Sequence, residues 1–537
     1  MSNGNGNGKV PNAQRLLWAG FMAILAAGVG FSIRGGILGD WSTQFGFTQG
    51  ELGQITGGGL TGFGIIILLG ALFADKLGYG RLMIFAFIMH VLSAVLTLAA
   101  TPLYNAQIET DPEAAKAIAY QCLFWGMFLF AIGNGTAEAV VNPLVAVLFP
   151  KNKTHYLNIL HAGWPGGLVI GALLSAFMVG KVPWEYQIAL FLIPAVIYGV
   201  MLFGQTFPKS EAAQHGVKYT DMLKELGVLG AGVICLLLGL FFMNDVGWSS
   251  TVAWGLAIAL IVVFGVATKF WLGPAMLAFL LFIHALVGYV ELGTDSWISN
   301  ITGNIMASPQ KGLLLFVYTS ALMFTLRFFA GPIVHKISPL GLLLAGSVCG
   351  AVGLVLLGYA TTGFMCVVAA TIYALGKTYY WPTMLGVVSE RFPKGGAITI
   401  GAIGGVGMLS AGLLGGPGIG YKQDYYASTS LKETSAPLYE SYKSTTKNKF
   451  LIFPEIQGLD GSKVGEIRGK TRDDMTAEEK QVNDADLYGG RTALKVTAVV
   501  PATMAVCYLL LIFYFKARGG YRQVHIEGSG RDAKEVA

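Results

Sequence analysis

Long apolar runs, broken by short clusters of Lys, Arg, Asp, Pro and Gly, dominate the chain from residue 16 to residue 515. The runs at 16–33, 82–100 and 492–515 each approach the ~20 residues that carry a helix across a bilayer. The same reading predicts spans near 16–38, 51–74, 80–101, 118–148, 157–180 and 186–206. A polar linker follows at 207–225, then a pair of runs near 226–244 and 249–268. Further spans fall near 274–299, 312–333, 340–360, 363–388, 397–420 and 493–515. The pattern predicts an all-α membrane protein of about fourteen helices, with two extra helices between two bundles. The interval 421–491, about 70 residues of mixed charge, reads as a surface loop with a helix-prone stretch at 475–482.

The charges orient this threading. Short loops rich in Lys and Arg mark the cytoplasmic side of membrane proteins. Lys76, Arg81, Lys151, Lys153, Lys209, Lys218, Lys224, Lys269, Lys336, Arg391, Lys394, Lys516, Arg518 and Arg522 all fall on one side, with Glu109, Asp111 and Glu113 opposite. An even helix count with both termini cytoplasmic follows, in a cell (inner) membrane. The first apolar run lacks a small-residue cleavage site and is expected to be retained. The chain divides into an N-terminal tail (1–15), a bundle (16–206), the linker (207–225), the helix pair (226–270), a second bundle (271–520) and a C-terminal tail (521–537).

Composition agrees: 54% of residues are hydrophobic and 12% charged, about half the charge of a soluble domain. The net charge of +6 is dispersed, which argues against nucleic-acid binding. Cys122, Cys235, Cys349, Cys366 and Cys507 lie in apolar segments without metal or redox spacing. No cofactor-binding motif or nucleophile–base spacing is present, so the reading is not an enzyme.

Ionisable residues inside the spans are the candidates for function, because charge at membrane depth is costly. They are Arg34, Glu138, His161, Glu291, Asp295, Arg327 and Lys377. Asp295 and Arg327 are expected near helix ends, reaching to water; His90 and His284 read as packing residues. Trp41, Trp164, Tyr289, Trp297, Tyr379 and Trp381 supply rings, and Asn142 and Asn158 amides, for a sugar-type solute. Pro143 frees a backbone carbonyl beside Asn142. Gly57 to Gly59, Gly163 to Gly171 and Gly401 to Gly418 mark close helix crossings.

An internal repeat is visible. The stretch from Ala131 and Gly133 to Phe149, Pro150 and Lys151 matches that from Ala374 and Gly376 to Phe392, Pro393 and Lys394 without a gap. Likewise Val29, Gly30 and Phe31 resemble Val287, Gly288 and Tyr289, and Ala74, Asp75 and Lys76 fall where Val334, His335 and Lys336 do. Such parallel repeats are a transporter trait.

After the second span, Ala71, Asp75, Lys76, Gly78 and Arg81 resemble the signature loop of the major facilitator superfamily, with Ala71 replacing its first Gly and one basic residue missing at Gly80. The resemblance implies two pseudo-symmetric six-helix bundles that rock about a midplane site. It makes Asp75, Lys76, Gly78 and Arg81 a conformational latch and not substrate ligands. Within the superfamily, Glu138, Asn142 and Pro143, then Asn158 and His161, then Gly288, Tyr289 and Glu291, then Trp381 and Pro382 resemble the fucose–proton symporter branch. Where those symporters carry an Asp on the first helix, this chain reads Ile33, Arg34, Gly35, Gly36. That leaves Glu138 to couple protons or makes the protein a uniporter. The resemblance also implies that Arg34, Glu138, Glu291 and Lys377 converge in a central cavity.

The sequence thus points to a monomeric secondary transporter of a small polar solute, foremost a sugar, with protons as candidate coupling ion and the lipid bilayer as its solvent. Two competing solute classes are a small organic anion, favoured by Arg34 and Lys377, and the substrates of a drug or metabolite antiporter, which Gly163 to Gly167 loosely resembles. A non-transporting sensor is the alternative of another class.

Overall fold

The computed structural model describes residues 12–47, 49–178 and 180–526. The outer parts of both tails lie outside these. Among the described residues the elements are helices, with two isolated β-bridges. Helix is what lipid demands, since every backbone polar group must be satisfied within its own segment.

Twelve helical segments are long and apolar enough to cross a membrane. Pro309–Arg327 does not qualify, carrying Gln310, Lys311 and Arg327. Gly363–Lys377 and Tyr380–Arg391 are each too short, parted by a break at Thr378 and Tyr379. By this measure the expected count of about fourteen is not reached.

Glycine sets how closely the helices approach. Ala13–Gly36 lies along Lys153–Met178, where a Cβ on Gly28 would meet the Trp164 carbonyl oxygen at 2.5 Å. Gln49–Leu77 crosses Gly396–Ser410 of the second bundle in the same way. There a Cβ on Gly64 would meet the Leu409 amide at 2.8 Å.

The repeat recurs as geometry. Phe149 and Phe392, which end the matched stretches, share a φ of −128°. Gly78, after Asp75 and Lys76, has φ 85° and ψ 144°. At the matched position Ser338 has φ 64° and ψ 163°. A non-glycine residue there is strained; the Ser338 hydroxyl partly offsets this by accepting from the Gly341 amide at 3.2 Å.

Of the extra pair, Ser250–Thr268 packs on Tyr219–Asn244, which in turn packs on Ala275–Ile305 and Gly396–Ser410. At Gly227 (φ 64°) the chain kinks, and Val228 and Leu229 donate to the Trp271 and Leu272 carbonyls at 2.9 and 3.1 Å.

The expectation of a 421–491 loop is corrected. Gly416–Thr434 continues through Tyr421, and Ala477–Thr497 begins at a capping box of Thr476 and Glu479. These two helices pack together, and with Ala436–Tyr442 and Gly461–Arg468 they carry a small headpiece. Its core holds Leu431, Leu438, Val464, Ile467 and Val482, and Arg468 pairs with Asp486 at 2.7 Å. The polar composition of these helix extensions hid them, because they leave the bilayer without ending.

Candidate functional site

Two layers of polar contacts join the bundles. The first lies at the end carrying the basic loops. The Asp75 Oδ2 accepts from the Ala397 amide at 3.3 Å, at the start of Gly396–Ser410. Helix N-termini favour negative charge. A Cβ on Gly396 would meet that same oxygen at 2.8 Å. Lys76 lies over the Tyr219 ring at 3.7 Å, Gly78 makes the turn, and Arg81 is exposed.

The repeat-related contact has the Gly331 amide donating to His155 Nδ1 at 3.1 Å. Between the two stands Lys153, 1% exposed. It donates to Glu211 Oε2 of the linker at 2.8 Å and to the Ser389 carbonyl at 3.1 Å. Thr154 donates to Glu390 Oε1 at 2.9 Å, and Tyr521 to Glu390 Oε2 at 2.8 Å. From the sequence Lys153 is one of the basic loop residues and Glu211 has no role, since only the fold brings the linker between the bundles.

The second layer is deep. Glu138, His161, Trp164, Glu291, Arg327 and Trp381 line one cavity of about 20 Å³, room for about one water. Glu138, His161, Arg327 and Trp381 are buried here, so the two bundles leave little room between them. Glu138 Oε1 accepts from the Trp381 indole Nε1–H of the other bundle at 3.2 Å. The Asn142 Oδ1 accepts from His161 Nε2 at 2.8 Å. No cation lies within ion-pair distance of Glu138 among the described residues.

Glu291 is held differently. Its Oε1 accepts from Arg327 Nη2 at 2.9 Å, and its Oε2 from the Trp381 backbone amide at 3.2 Å. It thereby caps the first turn of Tyr380–Arg391, whose amides have no helical partner. Arg327 also donates from Nε to the Thr378 carbonyl at 2.7 Å and from Nη1 to the His161 carbonyl at 2.6 Å.

Six sequence candidates thus meet: Glu138, His161, Trp164, Glu291, Arg327 and Trp381. Asn142 stands behind His161. The others lie apart. Arg34 does not reach the cavity: it bonds Ser93 Oγ at 3.0 Å and the Gly30 carbonyl at 3.2 Å, with Phe130 3.9 Å from its guanidinium. Its flexible side chain folds back into its own bundle. Lys377 pairs with Asp295. Tyr289 accepts from Lys422 Nζ at 3.0 Å, and Lys422 also reaches Thr497 at 3.1 Å. Asn158 bonds the Thr154 carbonyl and Thr383.

A second expectation is corrected in part: Arg327 does end its helix, but it and Asp295 are largely buried and paired inside the second bundle, with Glu291 and Lys377, instead of reaching to water. The spacing of Glu291 and Asp295, four residues apart on one helix face, was the available signal. Two buried groups that touch this region have no hydrogen-bond partner among the described residues: the Trp164 Nε1 and both ring nitrogens of His284, whose ring lies 4.7 Å from that of Trp381. Leaving such a group unpaired costs about 1–3 kcal/mol.

Solved structures share this architecture. The proton:xylose symporter XylE bound to 6-bromo-6-deoxy-D-glucose aligns over 94% of this chain and 96% of its own, with TM-score 0.58 and 14% identity. The transporter FucP in the outward conformation aligns over 94% and 99%, with TM-score 0.57 and 13% identity. The human organic anion transporter MFSD10 aligns over 93% and 100%, with TM-score 0.56 and 13% identity. No curated protein sequence matches the chain. The sequence pattern of the Major Facilitator Superfamily matches residues 20–416. With its helices, its two-bundle fold and that match, the chain belongs to the Major Facilitator Superfamily, as an integral multi-pass membrane transporter and not an enzyme.

Proposed function

We propose that the protein moves a small, neutral, hydroxyl-rich solute of sugar type by alternating access, with Glu138 as its proton-binding group. The observation that carries this reading is the Glu138 carboxylate, 6% exposed and bonded across the bundles to Trp381 with no cation beside it. A carboxylate at membrane depth is costly, and a proton removes the charge. Protonation also turns a charge-assisted hydrogen bond to Trp381 into a weaker neutral one. Proton uptake thereby loosens the contact between the bundles. The solute completes the cycle at the midplane among Trp164, Trp381 and His161. On this reading the basic end is cytoplasmic, both termini lie there, and the monomer in the cell membrane is the working unit.

The sugar class draws support from the xylose symporter among the structural neighbours. The organic-anion reading rested on Arg34 and Lys377. Arg34 is enclosed in its own bundle, and Lys377 is neutralised by Asp295, so neither offers free positive charge to a solute. Uptake of labelled L-fucose and D-xylose into proteoliposomes tests the proposal. Accumulation should require an inward proton gradient. Glu138→Gln should abolish accumulation while exchange persists; undiminished accumulation by this variant would remove Glu138 from coupling.

A further inference from the structure

Pro165 stands one helical turn after His161, and Pro382 one turn after Thr378. Proline has no N–H, so each leaves the carbonyl four residues earlier without its helix donor. Arg327 fills both places: Nη1 donates to the His161 carbonyl at 2.6 Å and Nε to the Thr378 carbonyl at 2.7 Å. Its third bond, Nη2 to Glu291 at 2.9 Å, neutralises the guanidinium. The Thr378 and Glu291 bonds lie within the second bundle. The His161 bond crosses to the first, beside the cavity that His161, Glu291 and Arg327 line.

We propose that Arg327 is a cross-bundle switch whose Nη1–H is held by the proline-freed His161 carbonyl when the bundles are closed and by a solute oxygen when they part. The second half of this inference rests on the transporter reading above. One donor with two alternative acceptors links binding to conformation, because a solute that binds only the open form draws the population toward it. Since Glu291 already balances the charge, the donor suits a neutral acceptor, a hydroxyl or carbonyl oxygen, in place of an anion. Thr378 and Glu291 keep the guanidinium aimed at the midplane throughout.

Two proline variants separate the contacts. Pro165→Ala supplies an N–H that draws the His161 carbonyl back into its helix; Pro382→Ala does the same for Thr378 inside one bundle. The full-length protein in proteoliposomes carries Met408→Cys, at a cavity-lining position. Its alkylation by a small maleimide is read on that peptide by mass spectrometry. Loss of one cross-bundle hydrogen bond should raise the rate about tenfold in Pro165→Ala and leave it nearly unchanged in Pro382→Ala. Equal rates in Pro165→Ala and its parent, or equal acceleration by both variants, would overturn the switch. For the solute contact, Arg327→Lys should raise the KM of L-fucose exchange about tenfold, and an unchanged KM would overturn that contact. Absence of any sugar flux with accelerated alkylation would refute the sugar reading and the solute half of the switch together, while the Arg327–His161 contact between the bundles stands.

Discussion

At the scale of the residue, the interior charges fall into kinds that the sequence could not tell apart. Glu291 with Arg327 and Asp295 with Lys377 are paired, Glu138 has only neutral donors, and Arg34 is enclosed by Ser93, Gly30 and Phe130. Breaking a buried pair from one side strands a charge, at about 3–5 kcal/mol, whereas replacing both partners by apolar groups is often near neutral. Asp295→Ala should therefore lower the melting temperature in detergent sharply, and Asp295→Leu with Lys377→Met should recover most of the loss. A double variant no better than the single one would mean that the pair has a further partner. All these charges were legible as costly; that Glu138 and Arg34 stayed without a counter-charge was not, because partners come from other helices.

At the scale of the element, punctuation in the sequence carried more than the apolar runs did. Pro143, Pro165 and Pro382 each sit inside a helix segment, and the last two supply the carbonyls that Arg327 binds. The repeat offset placed Gly78 opposite Ser338, and both adopt positive φ between consecutive helices. Ser338→Gly should stabilise the protein by about 1–3 kcal/mol and Gly78→Ala destabilise it by a similar amount, since only glycine is unstrained there. Unfolding monitored in detergent checks both, and opposite signs would show that the turn is not conformationally limiting. The headpiece was missed for a related reason. Hydropathy reports where a helix leaves lipid, not where it ends, and Gly416–Thr434 and Ala477–Thr497 run past that point.

At the scale of the whole molecule, the bundles are held at two depths. The basic end has Asp75 on Ala397, His155 on Gly331, and Lys153 between Glu211 and Ser389. The midplane has Glu138 on Trp381 and Arg327 on His161. Lys153 ties both bundles and the linker together. Lys153→Ala should open this end and accelerate maleimide alkylation of Ile400→Cys, a position lining the crevice beside it. A rate equal to the parent's would reduce Lys153 to a local linker contact.

The sequence by itself determined that the chain crosses the membrane many times as helix, that it is built from two related halves, and that charge is placed at membrane depth. Each of these follows from local pattern: run length against bilayer thickness, the repeated Phe–Pro–Lys ends, and the cost of a charge in lipid. Only the tertiary structure decided which charges cancel. Arg34, four residues from Gly30, turned inward to its own bundle, whereas Arg327 reached the His161 carbonyl from 166 positions away. Side-chain partners across helices depend on rotation, depth and freed carbonyls, and those quantities exist only once the helices are packed.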